Sequence, residues 1–250
     1  MKTFRNYGYW LYLLFILFYS ENTFSNELFP SKGAVVTSNA LATKAGEKIL
    51  AEGGNAYDAA TTISAMLSVV EPFASGLGGG AFWLIYDAKS KKYKMLDARE
   101  TAPLQSHKNM YLDENENLIK NISKLGPLSA GIPGIPAVLS YVNEKYGSKK
   151  LSTLLVPAYK AAINGFPVNE RYLKGANYKK EWLKKYKETK AIFLDKGEVP
   201  KKGWILKQTD LAKTIKKIMK GGHKSFYTGS FAKKMVESVQ NNGGIWSEED

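Results

Sequence analysis

Residues 37–103 read TSNALATKAGEKILAEGGNAYDAATTISAMLSVVEPFASGLGGGAFWLIYDAKSKKYKMLDARETAP. Ser38 or Asn39 is placed to cap a helix whose apolar positions Leu41, Ala45, Ile49 and Leu50 share one stripe. Gly53-Gly54 ends that helix, because glycine adopts the left-handed turn a helix C-terminus needs. Asn55 opens a second helix, with Asp58 three residues on in a capping-box arrangement. Its stripe is Ala59, Ile63, Met66, Leu67 and Val70, and Pro72 stops it. Past the glycine loop, AFWLIYD predicts a buried strand and YKMLDAR a second one, joined by the polar turn AKSKK. The hairpin delivers one arginine, Arg99, to the end of a strand. Upstream, GAVVTS at residues 33–38 predicts a short strand.

Downstream, residues 126–136 (GPLSAGIPGIP) form a Gly/Pro-rich connection, the best place for a domain boundary if there is one. Helical periodicity follows over 137–146, 151–164, 169–186, 209–220 and 230–240. A mixed portion with antiparallel strands followed by a mostly helical portion is an α+β pattern.

The 250 residues suffice for one large domain or two small ones, with apolar and charged fractions ordinary for a folded protein. Cysteine is absent, which excludes disulfides, thiol catalysis, thiolate metal sites and a cysteine-linked lipid anchor. The net charge of +13 comes almost wholly from lysine. Arginine is scarce and no nucleic-acid-binding motif accompanies the lysines. They read as solvated helix faces rather than as a nucleic-acid surface.

The N-terminus has the pattern of a targeting segment. Lys2 and Arg5 precede the apolar run WLYLLFILFY at residues 10–19, which is short for a bilayer span. Thr23 and Ser25 have small-x-small spacing, so cleavage before Asn26 is expected. Residues 1–25 then form a signal peptide and 26–250 a secreted or periplasmic region. Retention of the segment as a membrane anchor is the alternative.

Gly76, Gly78 and Ala81 fit G-x-G-x-x-A, but a helix precedes them and a strand follows. A dinucleotide fingerprint needs the reverse order, so that phosphate meets a helix N-terminus. The glycines are read instead as permitting close backbone approach. His107 and His223 lack metal-ligand spacing and sit in surface or cap contexts; no metal and no cofactor is expected. Asn121-Ile122-Ser123 matches a glycosylation sequon, a frequent chance triplet. In YKMLDARET, alternation puts Asp97 and Arg99 on one face. Local sequence favours an ion pair of Arg99 with Asp97 or Glu100; the other reading is a planar fork offered to a substrate carboxylate.

SNALATKAGEKILAEGGNAYDAA, VVEPFASGLGGGAF and LDARETAP, in this order, resemble the N-terminal part of gamma-glutamyltranspeptidase. The resemblance continues through GPLSAGIPGIPAV, PAYKAAINGFPVN, Gln208 with DLAKTI, FYTGSFAKKMVE and NNGGIWSEED. It implies the four-layer α-β-β-α sandwich of the N-terminal nucleophile hydrolases. It also implies a precursor that cleaves itself into two subunits, the smaller beginning with a threonine nucleophile whose own amine serves as base. The substrate would be a γ-glutamyl amide such as glutathione, the acceptor water, an amino acid or a peptide. The arginine of the family's R-E-x-A-P motif, which clamps the glutamyl α-carboxylate, corresponds to Arg99. The resemblance thus turns the preferred reading of Arg99 from ion pair to carboxylate anchor.

The family's T-T-H-x-S-V-V-D-like nucleophile segment has no match in these residues; Thr61-Thr62 lies in a helical pattern and is followed by Ile63 and Ser64. The resemblance is therefore to a large-subunit portion, with the sandwich incomplete. Such a chain is expected to be poorly soluble alone, to lack a catalytic residue of its own, and to need the small subunit as partner. Two other expectations stand beside this one. One is a non-catalytic secreted module that keeps a carboxylate site at Arg99. The other is a relative acting on poly-γ-glutamate or acylated β-lactams.

Overall fold

In the computed structural model, which describes residues 33–250, the first helix begins at a side-chain cap. Asn39 has an extended backbone and its side chain accepts the Leu41 N–H at 2.9 Å, so α1 spans Ala40–Ala51. Gly53, at φ +80°, turns the chain out of it. Residues 33–38 are not in the strand conformation expected, and Val36 is 95% exposed. Two valines make a strand only where a neighbour takes up their backbone groups. The proposed signal segment lies outside the described residues.

Asn55 and Asp58 close the expected capping box, and α2 spans Ala56–Val70. Asp58 is fully buried. Besides the Asn55 N–H at 3.0 Å, its carboxylate accepts the Ser148 N–H at 3.0 Å and the Ser148 hydroxyl at 2.5 Å. One carboxylate thereby caps a helix and fastens a loop far along the chain. α2 buries more than its predicted stripe, because α1, α3 (Ile135–Tyr146) and α5 (Val156–Asn164) surround it. Thr62 is buried too, and its hydroxyl donates to the Leu154 carbonyl at 3.0 Å. At the end of α2, buried Glu71 accepts from Asn39 Nδ2 at 2.8 Å. Arg171 Nε lies 2.9 Å from its other oxygen, as an ion pair without hydrogen-bond alignment.

Strands β1 (Ala81–Asp87) and β2 (Lys92–Ala98) form the predicted antiparallel hairpin, with Phe82 opposite Asp97, Leu84 opposite Met95 and Tyr86 opposite Tyr93. Ile85 points into the core, and Trp83 packs against it. The other face holds Phe82, Leu84, Tyr86, Tyr93 and Met95, all exposed, with Leu84 at 68% and Tyr93 at 71%. The buried strand expected from AFWLIYD is thus half right: one face is covered and the other is apolar and bare.

The remaining chain is helical, apart from β3 (Phe166–Pro167), which pairs antiparallel with β4 (Ile205–Leu206). The helix expected over 151–164 is two, α4 (Leu151–Leu154) and α5. Pro157 in the first turn of α5 cannot donate to the turn before it, so the helix restarts there. The helix expected over 169–186 divides into α6 (Glu170–Tyr178) and α7 (Lys180–Lys185), followed by α8 (Lys187–Phe193). At the α7–α8 break the Thr189 hydroxyl contacts the carbonyls of Leu183 and Tyr186, at 2.8 and 3.0 Å, and competes with the helical ladder. Helices α9 (Thr209–Gly221), α10 (Lys224–Tyr227) and α11 (Gly229–Asn241) complete the order. Val35–Asp250 forms one unit, so residues 126–136 are not a domain boundary. Its core is built from α2, α3, α5 and α9 around Val69, Leu139, Ala158 and Ile215.

Candidate functional site

Arg99 stands one residue past the end of β2, exposed. Among the described residues its guanidinium forms no ion pair. One of the two local partners is otherwise engaged: Asp97 turns its carboxylate back to accept the Arg99 backbone N–H at 2.9 Å. That contact fixes the backbone of Arg99 while leaving its side-chain charge uncompensated.

The backbone of residues 99–101 is threaded between two glycine surfaces. On one side lies the loop before β1, where a Cβ on Gly80 would come within 2.6 Å of both Arg99 Cα and Glu100 N. On the other side lie Gly131 and Gly134. A Cβ on Gly131 would sit 2.8 Å from Glu100 Cβ, and one on Gly134 would collide with the Ala98 carbonyl oxygen. Backbone hydrogen bonds stitch the three layers. Thr101 and Ile132 exchange both bonds, at 3.3 and 2.8 Å, and the Gly79 carbonyl accepts from Gly134 and Ile135 at 3.0 and 3.1 Å. Only glycine lets three backbones approach this closely. Gly80, Gly131 and Gly134 thus serve close packing, and the helix before the glycine run and the strand after it are the reverse of the order a dinucleotide fingerprint needs.

Tyr227 of α10 secures the far side of this cradle. Its hydroxyl donates to the Pro133 carbonyl at 2.6 Å and accepts the Ala137 N–H at 3.3 Å. Burial pushes its pKa up to about 12, so the phenol remains a donor across the physiological range. The end of the chain joins in as well: Trp246 Nε1 donates to the Ala130 carbonyl at 3.0 Å, and Asp250 accepts the Leu104 N–H at 2.7 Å.

Beside Arg99 opens a cleft of about 470 Å³. Its walls are Met95 and Leu96 from β2, Ile132 and Pro133 from the cradle, and Val138 and Tyr141 from α3. It combines apolar walls with one unpaired cation, the chemistry of a site that takes a carboxylate on an organic body. Sequence reasoning found Arg99 but took the Gly131–Gly134 stretch for a mere connection. The paired glycines within the Pro-rich run were the available signal.

The other candidates do not gather here. His107 is exposed, and His223 precedes α10, its backbone N–H donating to Ser140 Oγ at 2.9 Å. Thr61 and Thr62 are sealed inside α2. Among the described residues no group of three or more His, Asp or Glu side chains is disposed to hold a metal ion.

The family profile described as gamma-glutamyltranspeptidase matches residues 42–250. The chain is 39% identical over 219 residues to the glutathione hydrolase proenzyme of Bacillus subtilis, covering 87% of this chain and 37% of that protein. The solved structure of Helicobacter pylori gamma-glutamyltranspeptidase superposes with a TM-score of 0.84 at 41% identity, over 87% of this chain and 62% of that one. Cephalosporin acylase from Bacillus halodurans gives a TM-score of 0.74 at 28% identity, over 90% of this chain and 44% of that one. The chain spans well under half the length of the curated relative it matches.

Proposed function

The chain belongs to the gamma-glutamyltranspeptidase family, and from that premise we propose that it forms the substrate-carboxylate wall of an enzyme that cleaves γ-glutamyl amides. Arg99 clamps the α-carboxylate of the glutamyl group, and the cradle holds its backbone still while the amide is attacked. The carrying observation is the guanidinium itself, exposed beside a 470 Å³ cleft and without an ion pair among the described residues. An arginine fork left unpaired by its two neighbouring carboxylates is available for a bidentate partner.

The nucleophile comes from a further segment, the threonine-bearing small subunit, whether joined to this chain or separate. The bare face of the hairpin supports this. A sheet laid over Phe82, Leu84, Tyr86, Tyr93 and Met95 supplies the second β-layer of the sandwich and covers a surface water does not favour. Glutathione or a related γ-glutamyl compound is the donor, and water, an amino acid or a peptide the acceptor. Export completes the proposal: mature protein beginning at Asn26 is the expected result of N-terminal sequencing. A cephalosporin-type acyl donor is the second reading, favoured by the likeness to the Bacillus halodurans acylase.

The test is co-expression of this chain with the nucleophile-bearing portion of a relative, followed by an assay of anilide release from γ-glutamyl anilide. An assembled, active pair is expected. Arg99→Ala should lower kcat/KM about 100-fold or more, since two charge-assisted hydrogen bonds are lost, while Arg99→Lys keeps charge without the fork and falls between. Equal activity of Arg99→Ala removes Arg99 from the site. Anilide release by this chain alone removes the need for a second segment. Preference for a glutaryl-cephalosporin over the glutamyl anilide favours the second reading.

A further inference from the structure

Residues 207–234 hold eight lysines against one aspartate, a net +7 of the chain's +13 within 28 residues. The structure orders this charge. On α9, Lys213, Lys216, Lys217 and Lys220 follow i, i+3, i+4, i+7 spacing and form one stripe, all exposed. The opposite stripe, Ala212, Ile215 and Ile218, is buried in the core. The helix is thus pinned by one face and presents an ammonium row on the other. Among the described residues only Lys213 of the four has an ion pair, with Asp210 at 2.7 Å. Elsewhere some lysines are neutralised locally: Glu198 alone holds both Lys180 and Lys184. Like charges on successive turns repel, and here no carboxylate row answers them. Exposed Lys224, Lys233 and Lys234 on α10 and α11 extend the excess.

We propose that this lysine face is a docking surface for an anionic phospholipid bilayer. The chemistry favours headgroups over nucleic acid. The stripe holds no arginine for bidentate phosphate or base-edge contact, and no exposed aromatic ring alternates with the lysines as a stacking platform. Phe231, beside Lys217 Nζ at 5.6 Å from its centroid, is half-buried in the α10–α11 contact. Compact ammonium charges on flexible stems suit a diffuse negative surface, to which each contributes separately. The apolar run at residues 10–19, read as an export signal, brings the chain to a membrane as it is made, so a lipid surface is the polyanion its own sequence brings near.

The test is co-sedimentation of the mature chain, beginning at Asn26, with phosphatidylcholine vesicles, with and without phosphatidylglycerol, over a range of salt. The exposed apolar hairpin face contributes alike to both vesicles, so the ratio of the two affinities reads the charged surface, and the variants below locate it. At low salt that ratio should be at least about tenfold in favour of the anionic vesicles and should fall toward one as salt rises. Substituting Lys213, Lys216, Lys217 and Lys220 by glutamine should bring the ratio near one at low salt. A control replacing Lys89, Lys91, Lys92 and Lys94 of the hairpin, which removes equal charge, should keep it. Unchanged thermal unfolding of both variants ties the losses to charge. An equal loss in the two variants, a ratio of one for the parent chain, or tighter binding to duplex DNA than to vesicles at matched phosphate each overturns the proposal. Should the fourfold variant misfold, the single substitutions Lys216→Gln and Lys217→Gln, each expected to lower the ratio where Lys91→Gln does not, decide the matter.

Discussion

Replacing Gly134 by alanine isolates the steric demand of the cradle. Gly134 has ordinary right-handed backbone angles, φ −103° and ψ −23°, so alanine meets no conformational penalty there. The obstacle is space: the new Cβ would lie on the Ala98 carbonyl oxygen, 2.7 Å from its carbon and 3.2 Å from the Arg99 oxygen. These are backbone atoms of a segment bonded on both sides, and none can rotate away. Relief requires opening the two hydrogen bonds from Gly134 and Ile135 to the Gly79 carbonyl. Overpacking of this kind costs about 1–3 kcal/mol, and two backbone bonds add about 1 kcal/mol each, so about 3–5 kcal/mol is expected. For a domain of this size that lowers the midpoint of thermal unfolding by about 6–20 °C. Gly78 provides the control. Nothing lies within 4 Å of a Cβ there, and its φ is not in the left-handed region. Gly78→Ala should be neutral or stabilising by up to about 1 kcal/mol, through the unfolded chain. Calorimetry on both variants settles the question. A Gly134→Ala protein as stable as its parent, or a Gly78→Ala protein that falls as far, refutes the three-layer packing from which the placement of Arg99 follows.

Asp58→Ala removes a helix cap and strands the buried donors of Ser148 and Asn55, so a loss of about 3–5 kcal/mol is expected by chemical denaturation, with Asp58→Asn milder. Lys180 and Lys184 hold the Glu198 carboxyl at about 2, below its ordinary 4.5. A depressed carboxyl stabilises the fold above its unfolded pKa and loses that effect as pH falls through the folded one. The unfolding temperature of Glu198→Gln should therefore lie slightly below the parent's at pH 7 and converge with it as pH drops from about 4.5 toward 2. Tyr227→Phe keeps the ring packing but leaves the Pro133 carbonyl and Ala137 N–H without the hydroxyl, at a cost of about 1–2 kcal/mol seen as a lower unfolding temperature.

The segments of the fold legible in sequence are those decided within a few residues. Asn39, the Asn55–Asp58 box and Gly53 act on the turn beside them, so α1 and α2 are predictable nearly to the residue. The hairpin is equally local. What fails is of two kinds. Residues 34–38 are a strand only if a partner takes them, and the expectation over 169–186 misses both the break between α6 and α7 at Lys179 and the further helix α8. The site divides in the same way. Arg99 stands out only through the motif around it, because Asp97 and Glu100 supply a sufficient local partner on paper. In space Asp97 spends its carboxylate on a backbone N–H two residues along, a turn geometry that alternation alone does not reveal. Gly131 and Gly134 look like punctuation until the Ala98–Thr101 backbone is laid against them.

The unpaired guanidinium and the bare apolar face sit on one hairpin, and that bears on the choice between an enzyme portion and a carboxylate-binding module. A binding module needs Arg99 and its cleft but gains nothing from five large apolar side chains in water on the neighbouring face. Covering them is worth on the order of 5–10 kcal/mol before the cost of association, enough to hold a second segment in place. Phe82 lies directly opposite Asp97, whose carboxylate fixes the Arg99 backbone, so a sheet laid over that face ends next to the guanidinium. On the proposed reading of Arg99 as the carboxylate clamp, whatever covers the face also brings its own groups to within reach of the substrate. Assembly and completion of the site are then one event, which explains why the arginine and the apolar face occur on the same two strands and favours the enzyme over the binder.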